Sequence, residues 1–203
     1  MASTAAPYGL RPINLIGGQP YAGSTRMVKI ASGYAANIFY GQPVTLNSSG
    51  VLVVETGTTA VAANGVLGVF LGCTYTDPNL RYKVFRQSWP TGTVASDAEA
   101  YVADDPDVVM QAQAGGPITQ ADLGANIAFG TSSGNTTTGN STQPLATTPA
   151  TTATLPLRIV GFVDGPDSTI GDAFTDVLVK WNMPSNNGTA LVGGHSYMNP
   201  LGV

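Results

Sequence analysis

The sequence predicts an all-β protein: a β-sandwich or barrel-like body of short antiparallel strands with extended N- and C-terminal arms. Three observations carry this. Gly and Pro supply 25 and 14 of the 203 residues, and both weaken helix interiors, Gly through backbone entropy and Pro through its missing N–H and ring clash. Only 10% of residues are charged, against roughly 25% in an average soluble domain. Short β-branched or aromatic runs alternate with turn signals, the spacing of a sandwich or barrel.

Residues 1–26 read as an extended arm. Pro7, Pro12 and Pro20, with Gly9, Gly17, Gly18 and Gly23, are too dense for a helix or a central strand. Leu10–Ile16 can form a short edge strand. Tyr8, Leu10, Ile13, Leu15 and Ile16 need burial, which favours an arm laid on a neighbouring subunit.

Residues 27–130 form the β body. Met27–Ile30 is followed by Ala31-Ser32-Gly33. Gln42–Leu46 and Val51–Val54, joined by Asn47-Ser48-Ser49-Gly50, read as a hairpin. Val66–Tyr75 turns at Asp77-Pro78-Asn79 into Leu80–Gln87. Ala98–Val102 turns at Asp105-Pro106 into Val108–Gln113, and Ile127–Phe129 is a further short run. Thr119–Leu123 is the best helical signal, one turn at most, and Tyr34–Tyr40 is a second candidate turn.

Residues 131–154 hold ten Thr and no charge in 24 positions, a polar composition that reads as a long loop. Residues 155–183 return the closing strands, Leu157–Val163 and Ala173–Trp181. Residues 184–203 repeat the arm's chemistry, with Asn187-Gly188, Gly193-Gly194 and Asn199-Pro200 between scattered apolar residues.

Charge and composition narrow the chemistry. The net charge is −4, which argues against a general nucleic-acid binder, whose affinity comes from neutralised phosphates. Residues 1–86 hold six bases and two acids and residues 87–203 two bases and ten acids, an asymmetry that can orient the chain on a charged partner. No apolar run reaches the ~18 residues of a membrane helix. The N-terminus lacks the basic and apolar regions of a secretory signal, so synthesis in a cytoplasm and no membrane association are expected.

No cofactor, metal or catalytic set is visible. Cys73 is the only cysteine and follows an apolar run, so a buried small hydrophobe is expected. His195 is the only histidine and reads as structural or surface. Asp104-Asp105-Pro106-Asp107 carries calcium-type oxygen ligands without the spacing of an ion loop, leaving a turn or a weak ion or subunit contact open. Arg81-x-Lys83-x-x-Arg86, with Tyr82 and Phe85 interleaved, is the one basic-aromatic patch. A strand divides its cations between two faces, which favours an exposed strand meeting an acidic neighbour over a nucleic-acid platform.

Several stretches resemble a family of tailed-bacteriophage virion proteins, the head decoration or capsid cement type. They are Ala6–Pro12, Ile30–Val44, Gly65–Pro78, Trp89–Thr93 and Ala100–Val108. The likeness covers most of residues 6–130 and, more loosely, 155–203. It implies a structural protein on the capsid exterior that clamps neighbouring major capsid subunits, with the major capsid protein and further copies of itself, as a homotrimer, for partners. On this reading Tyr8, Leu10, Arg11, Ile13 and Ile16 are arm anchors, and Arg26 and Lys29 are charge contacts. The alternative is a head-fibre or adhesin-like module binding host-surface carbohydrate, which calls for Trp89 or Trp181 to be exposed in a groove.

Overall fold

The structure, a computed structural model, describes residues 3–57, 65–163, 165–186 and 191–198. Parts of both expected arms, residues 1–2, 187–190 and 199–203, lie outside the described residues. In chain order the strands are β1 (Arg11–Leu15), β2 (Arg26–Lys29), β3 (Pro43–Leu46), β4 (Leu52–Val54), β5 (Gly68–Thr76), β6 (Lys83–Arg86) and β7 (Glu99–Ala103). There follow β8 (Val108–Gln113), β9 (Asn126–Ile127), β10 (Leu157–Phe162), β11 (Asp176–Trp181), β12 (Ser185–Asn186) and β13 (Leu191–Val192).

The body is all-β, built from two antiparallel sheets. The first runs β1-β8-β11-β10-β9 and the second β2-β7-β5-β3-β4. Strand β5 is nine residues long, enough to hold β3 at its start and β6 at its end along one edge, with β7 along the other. The second sheet curls on itself: Ile30, just past β2, bridges Leu52 of β4. A small β12–β13 hairpin stands apart.

Alternation along the strands sorts the side chains into two cores. Inside the curl lie Ile38, Val44, Leu52, Phe70, Tyr75, Trp89, Ala100 and Val102, all essentially inaccessible. The Tyr75 and Trp89 rings meet edge to face with centroids 5.2 Å apart. Between the sheets, Val108, Met110 and Ala112 of β8 and Val177, Val179 and Trp181 of β11 face Val69 and Ala103 of the second sheet. Each large aliphatic side chain so buried contributes about 1.5–3 kcal/mol.

The expected strands are all present, displaced by a residue or a few at their ends. Asn47 accepts the backbone N–H groups of Ser49 and Val51 and so closes the β3–β4 hairpin. The turn at Gln120–Asp122 is a single 3₁₀ turn, boxed by Thr119 and Asp122. The Tyr34–Tyr40 candidate is not helical. Ile38 and Tyr40 instead bridge Trp89 and Asn140, because inter-strand partners satisfy their backbone groups and Ile38 is needed inside the curl.

The Thr-rich segment, expected as a long loop, is a strap laid on the body. Tyr40 donates its N–H to Gly139, and Ser141 returns one to Tyr40. Leu145 donates to Gln113 and accepts from Gly115. The strap thereby ties the surroundings of the curled sheet to β8, and it buries Ser141, Gln143 and Leu145. A segment without charge can cross the body this way because none of its side chains carries an ionic desolvation cost.

Candidate docking surfaces

The first 26 residues, as far as they are described, fold onto their own chain. Gly9 has φ +75, and a Cβ there would meet Gly41 O at 2.5 Å and Ser141 Cβ at 2.8 Å. That close passage drops Leu10, 2% exposed, into the inter-sheet core. Leu10 is thus spent inside the molecule and cannot anchor a partner. Strand β1 is an edge strand, as its sequence suggests, and pairs with β8. Its other side is partly capped by its own return, where Leu15 and Tyr21 donate to Gln19 and Ile13 respectively.

The other six candidates divide. The Arg11 guanidinium lies 4.1 Å from the centre of the Tyr8 ring. Burial, then the nearby Asp176 carboxylate, pushes the Tyr8 phenol well above its ordinary value. Arg26 Nε sits 2.7 Å from Asp104 Oδ2 and its guanidinium 5.0 Å from the centre of the Tyr197 ring. Lys29 is exposed, opposite Glu99 across β2 and β7. Ile13 and Ile16 are the apolar pair left in water, at 38% and 52% exposure.

A larger apolar surface lies on the second sheet. Strict alternation puts Met27, Tyr101 and Phe85 on the face opposite the curled core. Met27 is paired with Tyr101. Tyr101, Leu71, Tyr40 and Phe85 border one open hollow of about 470 Å³. The first sheet covers this face where Val69, Leu71 and Ala103 meet the shared core, while Phe85 stays 72% exposed and Met27 48%. Beyond the face, the β5–β6 turn leaves Leu80 at 50% and Tyr82 at 59% exposure.

That turn is tightly built. The Asp77 carboxylate accepts the N–H groups of Asn79 and Leu80, which hold it below the ordinary carboxylate value. Arg86 approaches it at 3.4 Å. Arg81 has φ +60, the left-handed region in which a non-glycine residue is strained. It therefore belongs to the turn, and the expected sharing of a strand face by residues 81, 83 and 85 reduces to Lys83 and Phe85. Composition signalled this basic-aromatic patch, but not that its aromatic members stay uncovered.

The C-terminal tail closes against the body at His195. His195 bridges Val66, flanked by Val66 N–H to Gly194 and Ser196 N–H to Val66, both 2.8 Å. Its ring lies between Trp181 and Tyr197, at 5.8 and 5.3 Å between centroids. Burial lowers its pKa to about 4. The Tyr197 hydroxyl donates to Asp104 at 3.1 Å, so Asp104 serves Arg26 and the tail together. Asp105 caps the N–H of Asp107, as a turn requires, and Asp107 pairs with Lys180 at 3.0 Å.

Both indoles are interior, Trp89 at 0% and Trp181 at 2% exposure. The carbohydrate reading called for one of them in an open groove, and that expectation is not met, because each packs in a hydrophobic core. Cys73 is buried in the curl, as its apolar setting suggests. Among the described residues no three His, Cys, Asp or Glu side chains gather as a metal-binding group, and no helix is long and apolar enough to cross a membrane. Comparison with known proteins finds no matching family model, no matching curated protein and no matching solved structure.

Proposed function

We propose that this chain is a structural virion protein that binds the outer surface of a tailed-bacteriophage capsid and stabilises it by bridging neighbouring major capsid subunits. The observation that carries the reading is the half-covered second sheet. A soluble monomer has little reason to leave Met27 and Phe85, with the half-buried Tyr101, on one sheet face, since exposed apolar surface marks an interaction site. Ile13 and Ile16 add a second apolar contact at the other sheet's edge. The resemblance of Ala6–Pro12, Ile30–Val44 and Gly65–Pro78 to decoration proteins supports the same role.

The mechanism is burial of preformed surface. A standard interface hides about 800 Å² per partner. A rigid β body loses little conformational freedom on docking, so more of that burial appears as affinity. Repetition over a closed shell turns modest contacts into a strong net, because each bound copy holds its neighbours in place.

The test uses shells of a phage that encodes this chain, prepared without it. Adding the purified protein is expected to give exterior density spanning adjacent capsid subunits by cryo-electron microscopy, and shells that release DNA at a higher temperature. Phe85→Ser with Met27→Ser is expected to abolish binding while leaving the fold intact. Failure of the wild-type protein to co-sediment with such shells overturns the role.

A further inference from the structure

We infer that two copies of this chain associate head to tail, the β5–β6 hairpin of one docking on an acidic corner of the first sheet of the other. The inference rests on the proposed role in so far as that role calls for self-association. The hairpin end exposes Leu80, Tyr82 and Phe85 beside Arg81, Lys83 and Arg86. Two acids answer these cations within the chain. Asp77 takes Arg86. Asp97, engaged by the N–H and hydroxyl of Thr76, faces Lys83. Arg81 has no acid partner among the described residues and is held outward by the turn.

The complementary surface is made by two loops of the first sheet. Gly171 N–H donates to Ile118 O at 2.8 Å, and Ile118 N–H donates to Thr175 Oγ1 at 3.1 Å, so residues 117–124 and 165–175 form one corner. It carries Asp122, Asp167 and Asp172, with Leu123 and Ile170 exposed at 46% and 39%. No base lies between Arg86 and Arg158, nor between Arg158 and Lys180. Arg158, on the neighbouring β10, donates to Asn126.

Each patch therefore pairs exposed large apolar side chains with a net charge, positive on the hairpin and negative on the corner. Like charge on each patch disfavours hairpin-to-hairpin and corner-to-corner contacts, because like-charge juxtaposition is costly at an interface. Since the patches differ, the contact is heterologous, and successive copies form a closed ring or an open chain. A partner of nucleic acid fits less well: two of the three cations already face an acid, Arg86 at Asp77 and Lys83 at Asp97, and the net charge is −4.

Sedimentation velocity of the full chain, from micromolar to submillimolar concentration, tests this. Association is expected at ~0.01 M salt, where the Debye length is about 30 Å, and dissociation at ~1 M, where it is about 3 Å. Arg81→Glu with Lys83→Glu, and separately Leu123→Lys with Asp167→Lys, are each expected to weaken association at least about tenfold, since opposed charges become like charges. Each pair changes exposed positions, and unaltered tryptophan emission checks the fold. Mixing the two variants is expected to restore a complex, because one keeps a native hairpin and the other a native corner. A wild-type chain that stays monomeric at low salt, or a mixture that fails to associate, overturns the inference. So does loss of association on adding a short oligo-dT probe that itself binds the hairpin. Loss of self-association in a chain that still coats shells sinks this contact alone, whereas self-association without shell binding sinks the capsid role alone.

Discussion

His195 Nδ1 accepts the backbone N–H of Tyr197 at 3.2 Å. The ring is thereby held as the neutral tautomer with its proton on Nε2, which faces the Leu67 backbone and reaches no acceptor at hydrogen-bond distance. Protonation would place a second hydrogen on Nδ1, against the Tyr197 N–H, and a charge in a site with no exposure. Asp104 and Asp105 favour the charge and Lys180 opposes it, but burial outweighs all three. The tail is thus closed by a histidine that must stay neutral.

Stability is accordingly expected to fall as pH drops. The unfolded chain takes up this proton near the ordinary histidine value of 6.5 and the folded chain only near about 4. The histidine's contribution is complete above 6.5 and lost progressively down to about 4, by up to about 3 kcal/mol. Asp176, raised mainly by burial, acts in the opposite sense, since its uptake of a proton favours the fold. Asp77 and Asp97, lowered by hydrogen bonds, lose their contribution only below the ordinary carboxylate range. Denaturant melts at pH 7 and pH 4.5 should show the loss in the wild type and a smaller one in His195→Gln. An equal loss in both would refute the assignment.

Gly9→Ala should destabilise strongly. A non-glycine residue in the left-handed region costs about 1–3 kcal/mol, and overpacking adds about 1–3 kcal/mol. The Cβ would strike the Gly41 carbonyl and Ser141, displacing Leu10 from the core. Gly23 has a similar φ with open space around it, so Gly23→Ala carries only the backbone term. Thermal melts of both variants compare the two costs, and equal shifts would count against the packing argument.

Strands and cores were legible wherever local signals agreed. Val108, Met110 and Ala112 alternate, and so do Val177, Val179 and Trp181, with period-2 spacing that needs no tertiary information. Asn47–Gly50 announces its hairpin. The path of the termini was not legible. Leu10 sits among prolines and glycines, and whether such a segment shelters on its own body or on a neighbour depends on a clearance at Gly41 that no local pattern encodes. Likewise Leu145 is one apolar residue in a Thr-rich run. The exposure of Phe85 depends on how far the first sheet reaches over the second, a non-local property of the fold.

The strap reading makes Leu145 a core residue. It is 2% exposed, and its backbone bonds join it to Gln113 and Gly115. Leu145→Ala should cost about 2–5 kcal/mol, as for other buried leucines, whereas Thr136→Ala on the exposed part of the strap should lie within about 0.5 kcal/mol of wild type. Urea melts give both values, and a Leu145→Ala variant as stable as the parent would return this segment to a solvated loop.

Cys73 reports opening of the curled sheet. Its thiol is pushed up to about 12, chiefly by burial and with Arg86 pulling the other way, and its sulfur lies 3.6 Å from Ser88 O. Only the thiolate reacts with a disulfide reagent, so at pH 8 the folded chain offers neither access nor the reactive form. Labelling with an aromatic disulfide should be negligible in buffer and complete in denaturant, its rate following the global opening equilibrium where reclosing is fast. Cys73 itself borders the hollow beneath Phe85, so Phe85→Ser should leave the rate unchanged if the thiol is reached only by unfolding. Acceleration in that variant without loss of stability would mean that the outer face, and not the core, guards the sulfur.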